Sequence, residues 1–104
     1  MKRNLNQQLV DLDGQPFKDG STLKNICEAA AGVQLSEDAM TPVEQKLKRL
    51  DLLKKIHASD GVIDFTAEEI VLLKDRIGKI FPVMAIGQAF EMLDSDYQEP
   101  VANQ

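Results

Sequence analysis

Two copies of one helix-start signal constrain the fold of this chain more than any other feature of its sequence. Thr41-Pro-Val-Glu44 and Thr66-Ala-Glu-Glu69 each place a glutamate three residues after a threonine, which is the spacing of a capping box. In a capping box the two side chains accept hydrogen bonds from backbone N–H groups that a helix start leaves unpaired. We therefore predict one helix with Thr41 as its N-cap and Pro42 as its first residue, and another that begins after Thr66.

Apolar residues at helical spacing extend both helices and predict two more. The Thr41 helix runs to about His57, and Pro82 ends the Thr66 helix and begins a fourth. The first helix of the chain follows Ser21 or Thr22 as its cap and stops near Gly32. The apolar stripes comprise Leu23, Ile26, Cys27 and Ala30 in the first helix, Ile70, Leu73, Ile77 and Ile80 in the third, and Val83, Ile86, Phe90 and Leu93 in the fourth. In the second helix the stripe comprises Val43, Leu47, Leu50, Leu53 or Lys54, and Ile56 or His57, and Leu52 widens it.

The N-terminal residues predict a β-hairpin over residues 4–18. Asp13-Gly14 tolerates positive φ in a tight two-residue turn, and Pro16 restricts the return strand to a sheet edge. Val62-Ile63-Asp64-Phe65 favours extended geometry. The sequence therefore predicts an α+β fold, mostly α, in which an N-terminal β-hairpin, with room for a third short strand near residues 62–65, packs on about four short helices.

Length and composition bound the domain organisation and the classes of partner. The 104 residues suffice for one small domain, which we place at residues 1–94, and residues 95–104 lack apolar periodicity and suggest a flexible tail. The net charge of −5 argues against direct nucleic-acid binding, which needs clustered basic residues. The single cysteine allows no internal disulfide, and no apolar run approaches the roughly 20 residues that cross a bilayer. We expect a protein of the reducing cytoplasm without membrane contact.

The stretch Ser59-Asp-Gly-Val-Ile-Asp64 resembles the second half of a calcium-binding EF-hand loop. With Gly61 at position 6 of such a loop, Asp60 takes position 5 and Asp64 takes position 9. Positions 1, 3 and 12 should supply oxygen ligands, but they hold Ile56, Ala58 and Ala67. Two carboxylates cannot replace the hydration shell of a hard dication. We therefore interpret Asp60-Gly61 as a turn and expect no metal.

The sequence carries no motif that supports an enzyme. His57 is the only histidine, so no site with several histidine ligands can form. Cys27 and His57 could act as a nucleophile and its base only if the fold brought them together, and both lie near predicted apolar stripes. A glycine-rich phosphate loop is also absent. We expect no enzymatic activity and no cofactor.

The order of these signals resembles that of small uncharacterised proteins encoded by tailed bacteriophages and prophages. The segments are "LNQQLVDLDGQPF", a Thr-led helix, "TPVEQKLKRLDLLKKI" and "IDFTAEEIVLLKDRIGKIFPVMAIGQAFEML", which together cover residues 5–93. Such proteins open with a short "L.D.DG.P" pattern and end in a "GQ-x-x-E-x-L" helix. The resemblance implies a phage-encoded, non-enzymatic protein in the bacterial host cell, and it implies no particular activity.

These observations favour a protein–protein interaction module that associates with itself. The Thr66 helix has apolar residues on both flanks of its stripe, and a two-stranded hairpin is marginally stable without further partners. The residues that we expect at the interface are Leu5, Leu9, Val71, Leu72, Phe81 and Met84. A phage or host protein is a further candidate partner.

An alternative function is an acidic inhibitor of a host nucleic-acid-binding or defence protein. Such an inhibitor would compete for a basic groove through its own negative surface. The carboxylates that would form this surface are Glu37, Asp38, Glu68, Glu69, Asp75, Asp94 and Asp96.

Overall fold

A computed structural model gives the fold of this chain and describes residues 1–96. In chain order the elements are β1 (Lys2–Asn4), α1 (Leu23–Gly32), a 3₁₀ helix (Ser36–Met40), α2 (Val43–Ala58), β2 (Val62–Asp64), α3 (Ala67–Ile80) and α4 (Val83–Asp94). The described residues thus contain four α-helices and one two-stranded antiparallel sheet. The predicted class, α+β and mostly α, is confirmed.

The regular sheet pairs the start of the chain with the predicted third strand. Arg3 lies opposite Ile63 in the register of β1 and β2, and Leu5 N–H continues the pairing by donating to the Gly61 carbonyl at 2.7 Å. Gly61 has φ +137°, and a Cβ at this position would lie 2.2 Å from Asn6 Nδ2. The positive φ favours a glycine here, and a Cβ would in addition displace the Asn6 side chain.

Residues 5–22 fold back on themselves in an antiparallel arrangement, but with fewer strand contacts than the predicted hairpin over residues 4–18. This arrangement contains isolated bridges, Gln8 with Thr22 and Val10 with Pro16, instead of continuous strands. The turn also differs from the predicted two-residue turn. Gly14 N–H donates to the Asp11 carbonyl and Asp11 N–H donates to the Gln15 carbonyl, so the loop has three residues and ends at Gly14 with φ +81°. This is the geometry of a type I turn followed by a left-handed glycine.

Helix α1 lies at the centre of the fold because its buried face is built from small and aliphatic residues. Leu23, Ile26, Cys27, Ala30 and Ala31 are buried, and α1 contacts α2, α3 and α4. The alanines allow neighbouring helices to approach closely. The predicted cap is also present, since Thr22 and Asn25 form a capping box.

The two capping-box signals of the sequence have different outcomes. Thr66 caps α3 as predicted, because its hydroxyl accepts from Glu69 N–H at 3.1 Å and its own N–H donates to Glu69 Oε1 at 2.8 Å. The prediction for Thr41 is wrong. Helix α2 begins at Val43 after Pro42, and Thr41 instead ends the 3₁₀ helix, donating its N–H to the Asp38 carbonyl. This 3₁₀ helix occupies a stretch that carries no apolar periodicity.

The described chain ends two residues after the fourth helix. Helix α4 ends at Asp94, and it begins one residue after the predicted position, at Val83. Of the tail predicted over residues 95–104, residues 97–104 lie outside the described part of the chain. Asp96, within it, forms an ion pair with the buried Arg3 at 2.5 Å.

Candidate protein-interaction surface

A groove between α2 and α3 brings apolar and charged side chains together on one face of the molecule. Both helices pack on α1, and the space between them stays open to solvent. Its lining includes Lys48, Leu52 and Lys55 from α2 and Glu68, Leu72 and Asp75 from α3. We call this feature the Leu72 groove. Its α2 wall carries two lysines and the acidic Asp51, and its α3 wall carries carboxylates.

Leu72 is the common element of the cavities that form this groove. It lines three adjoining cavities of about 390, 350 and 530 Å³. The side chain is half-buried and packs on the core from one side. Val71 precedes it in α3, is 66% exposed and lines the third cavity. The two residues therefore extend apolar surface from the groove onto the outer face of α3.

One end of the groove is closed by an ion pair between the two helices. Lys55 Nζ lies 2.8 Å from Glu69 Oε1, the same carboxylate that accepts the hydrogen bond from Thr66 N–H. Partial burial acts to raise the pKa of Glu69, but the Lys55 ammonium and the Thr66 N–H together outweigh it, so the pKa is lowered. The helix-start signal at Thr66 thus also fixes the position of a charged group in the groove.

The other end of the groove is closed by a buried ionic cluster. Arg76 Nη2 lies 3.2 Å from Asp38 Oδ2, and both side chains are 4% exposed. Arg76 also donates to the carbonyls of Ala30 and Val33 at 2.5 Å each, so it closes the C-terminal end of α1. Arg49 Nη1 lies 3.1 Å from Asp38 Oδ2 as a second ion-pair partner. The cluster ties α1, α2, α3 and the 3₁₀ helix together.

Electrostatics keep Asp38 ionised in this cluster. Hydrogen bonds from the Arg76 guanidinium, and then from the Leu35 N–H, lower the pKa of Asp38 far below its ordinary value. The Leu35 N–H lies 2.7 Å from Asp38 Oδ2. A carboxylate with this many donors has little capacity left for an external ligand. We therefore assign the cluster to the framework of the groove.

A second, shallower groove lies between residues 7–12 and α4. It has a volume of about 670 Å³, and Leu12, Val83 and Met84 contribute its apolar lining. The Gln88 side chain holds its two walls together, because Oε1 accepts from Val10 N–H and Nε2 donates to the Val10 carbonyl, both at 2.8 Å. This amide uses its donor and acceptor as a strand neighbour would.

The solvent side of α2 carries a separate apolar row. Val43, Leu47 and Leu50 are 68%, 54% and 42% exposed. Leu52 and Ile56, on the opposite side of α2, are buried in the core. No element within residues 1–96 covers the row. We call Val43, Leu47 and Leu50 the α2 seam.

The structure separates the residues that the sequence suggests for an interface. Val71 and Leu72 lie together at the Leu72 groove, whereas Met84 lines the second groove. Phe81 is half-buried and packs on the core. Leu5 and Leu9 are 0% exposed and belong to the core, so they present no surface to a partner. Their burial follows from the N-terminal segment lying across α1, with Lys24 N–H donating to the Leu5 carbonyl.

The groups weighed for catalysis and metal binding have different surroundings. Cys27 is fully buried, and burial raises the pKa of its thiol to about 12. His57 has a side chain that is 80% exposed and lies 3.5 Å from Glu28. Asp64 pairs with the N-terminal ammonium at 2.6 Å. Over residues 1–96 no group of three or more His, Cys, Asp or Glu side chains is arranged to hold a metal ion.

Sequence reasoning missed Asp38, Arg49 and Arg76 as a unit. Asp38 lies in a stretch without apolar periodicity, and Arg49 lies among the lysines of α2, where a charged residue gives no sign of burial. Arg76 offered one signal, because it lies three residues after Leu73 and next to Ile77, within the buried stripe of α3. An arginine at such a position needs a partner.

Comparison with known proteins adds no relative to this geometry. The chain matches no family model, no curated protein and no solved structure. Among the described helices, none has the length and apolar character required to cross a membrane.

Proposed function

We propose that this chain is a phage- or prophage-encoded, non-enzymatic protein–protein interaction module. The observation that supports the proposal most directly is the position of Leu72, a residue expected at an interface, in the centre of the groove between α2 and α3. Val71 adds apolar surface with 66% exposure beside it. The proposed setting is the cytoplasm of the bacterial host, with a phage or host protein as partner, and the module also associates with itself.

The chemistry of the groove defines the partner that would fit. A cleft between two helices, with an apolar floor, accepts the apolar face of a third helix. Lys48 stands on one wall and Glu68 stands on the other. Lys55 and Asp75 stand beside them, but their charges are already paired with Glu69 and Lys79. The complementary ligand is therefore an amphipathic helix whose apolar stripe has carboxylates along one flank and basic side chains along the other.

The alternative function as an acidic inhibitor has less support. Most of the carboxylates that would form its acidic surface are held in ion pairs within the chain. The pairs are Asp38 with Arg76 and Arg49, Glu37 and Asp75 with Lys79, Glu69 with Lys55, Asp94 with Lys74, and Asp96 with Arg3. A carboxylate whose charge is already paired with a cation of the same chain attracts a basic groove less strongly.

A selection of helical peptides against the immobilised chain tests the proposed groove even while its natural partner is unidentified. The library should contain 18- to 20-residue amphipathic peptides with random flanking charges. We expect enrichment of peptides that have an apolar stripe between an acidic and a basic flank. Their binding should weaken about tenfold or more with Val71→Glu, which places a carboxylate on the apolar surface of α3.

Val83→Glu provides the matched control for this experiment. Val83 is 83% exposed and lies in α4, away from the Leu72 groove. The same peptides should bind this variant as they bind the unchanged chain. Failure to enrich peptides, or equal weakening by Val71→Glu and Val83→Glu, would contradict the proposed groove.

A further inference from the structure

The α2 seam has the spacing of a short coiled-coil surface. Val43, Leu47 and Leu50 follow each other at intervals of four and three residues, which is the pattern of d, a and d positions in successive heptads. Met40, in the 3₁₀ helix that precedes α2, is also 90% exposed. A regular row of exposed apolar residues on a helix marks a contact surface more specifically than scattered exposed residues do.

We propose that the α2 seam binds the α2 seam of a second copy of this chain, with the two helices parallel about a twofold axis. This inference rests on the proposed function, since it specifies how the module associates with itself. A twofold contact uses the same surface on both copies, so an unpaired seam of this kind is self-complementary in its apolar part.

The charges beside the seam select a second copy and the parallel direction. In the heptad frame Lys46 occupies a g position and Asp51 the following e position. In a parallel pair, g of one helix faces e of the next heptad in its partner, so Lys46 of each copy faces Asp51 of the other. Two symmetrical attractions result, each of about the size of an exposed ion pair.

The antiparallel arrangement lacks this complementarity. There, e positions face e positions, and the acidic residues Glu44 and Asp51 would lie opposite each other. Lys46 would face the side of the partner that carries Leu53. The sequence of charges therefore favours one direction of association over the other, which is the usual role of e and g residues.

The rest of the fold leaves room for this contact. The buried residues Leu52 and Ile56 lie on the far side of α2 from the seam. Lys48 and Lys55, which line the Leu72 groove, also lie outside the a and d positions. A dimer through the seam would therefore leave the Leu72 groove of each copy open, with Asp51 at the border between the two surfaces because it lines the groove and also faces Lys46 of the second copy. Lys54 occupies the next a position, where a polar residue helps to specify register.

Sedimentation equilibrium over a range of protein concentrations tests the contact. We expect the unchanged chain to form a dimer and Leu47→Glu to raise the dissociation constant of that dimer at least tenfold. Leu47 is 54% exposed, so the variant should retain its helical circular dichroism and its thermal midpoint. Val83→Glu adds the same charge on α4 and should leave the dimer unchanged. A monomeric unchanged chain, or a dimer indifferent to Leu47→Glu, would overturn the proposal.

Charge exchange tests the direction of the helices. Asp51→Lys should weaken a parallel dimer, because the introduced ammonium would then face Lys46, and it should strengthen an antiparallel one by facing Glu44. Lys46→Glu should also weaken the parallel dimer, and the double variant Lys46→Glu/Asp51→Lys should restore it. Stronger association of the Asp51→Lys variant, or no recovery in the double variant, would exclude the parallel arrangement.

Peptide binding by the Leu47→Glu variant separates this inference from the proposed function. Peptides selected on the Leu72 groove should still bind this monomeric variant. If they bind while every seam variant remains dimeric, the seam contact is wrong and the groove stands. If the seam variants behave as expected but no peptide binds, the groove is wrong and the self-association stands.

Discussion

Arg76 and Asp38 contact each other in the interior through two pairs of atoms, Nη1 with Oδ1 at 3.3 Å and Nη2 with Oδ2 at 3.2 Å. They come from α3 and from the 3₁₀ helix, 38 residues apart in the chain. The contact therefore holds an element without apolar periodicity against the core. Arg76 also donates to the carbonyls at the end of α1, so this one side chain connects α3 to both α1 and the 3₁₀ helix.

Replacing Arg76 should destabilise the fold strongly. In Arg76→Met the carbonyls of Ala30 and Val33 lose their donor, and Asp38 loses its principal partner while staying buried. Removing one partner of a buried ion pair costs about 3–5 kcal/mol. Chemical denaturation followed by circular dichroism should show a loss of this size in the free energy of unfolding.

Two comparisons sharpen this prediction. Lys79→Met removes an exposed cation that pairs with Glu37 and Asp75, and it should leave the denaturation midpoint nearly unchanged. The double variant Arg76→Met/Asp38→Leu should recover only part of the lost stability, because the unpaired Asp38 carboxylate is then absent from the interior but Arg49, 11% exposed, loses its partner as well. If Arg76→Met costs no more than Lys79→Met, the cluster does not hold the fold together.

The acid stability of the chain should depend on Asp38. Its pKa is lowered in the folded state from an ordinary value of 3.8, chiefly by the Arg76 hydrogen bonds. A carboxyl with a lowered pKa contributes stability that is fully present above its unfolded pKa and is lost as the pH falls through the folded pKa. The stability difference between the unchanged chain and Asp38→Asn should stay constant above about pH 5. It should narrow as the pH falls below 3.8. Urea denaturation at several pH values measures this difference, and a constant difference down to the lowest pH would refute the prediction.

The two threonine signals should differ in their contribution to stability. Thr66→Ala removes a hydroxyl that accepts from Glu69 N–H, and loss of such a cap costs about 1 kcal/mol. Thr41→Ala removes no helix cap, because α2 begins after Pro42. We expect it to cost less than half as much. Urea denaturation of the pair, with unchanged m-values, provides the comparison, and equal costs would contradict the assigned helix starts.

The thiol of Cys27 should be inert in the folded protein. Its side chain is fully buried and its pKa is raised to about 12 by burial, so little thiolate exists near neutral pH. A disulfide reagent at pH 8 should modify it only as fast as the chain unfolds, and at once in denaturant. Val71→Cys in a Cys27→Ala background supplies an exposed thiol that should react without unfolding. Rapid modification of native Cys27 would show that the core opens at α1.

Local signals predicted those parts of the structure that depend on neighbouring residues. The Thr66 box, the Thr22 cap and the stripe Leu23 to Ala30 require only contacts within one helix and its own solvent face, so the pattern suffices to place them. The same logic failed at Thr41. Thr41 is followed by a proline, and its backbone N–H donates to the Asp38 carbonyl, so Thr41 ends the 3₁₀ helix and does not begin α2. The outcome there depended on Asp38, which pairs with residues far along the chain.

The candidate surface was predictable only in part for a related reason. Val71 and Leu72 stand out because they lie beside a complete apolar stripe. Leu5 and Leu9 carry the same apolar character, but their burial depends on how the N-terminal segment crosses α1. Periodicity describes one element at a time and does not contain the distance between two elements. A groove between α2 and α3 therefore has no signature in either helix alone.

By itself, the sequence determined the helical segments, the extended stretch at residues 62–65 and the buried stripe of α1. These follow from spacing and backbone preference, which act over a few residues. The tertiary structure alone decided that Arg76 reaches Asp38, that Leu5 is covered, and that Leu47 and Leu72 remain accessible. Burial and ion pairing arise between segments that are distant in the chain, so they exist only once the helices have packed on α1.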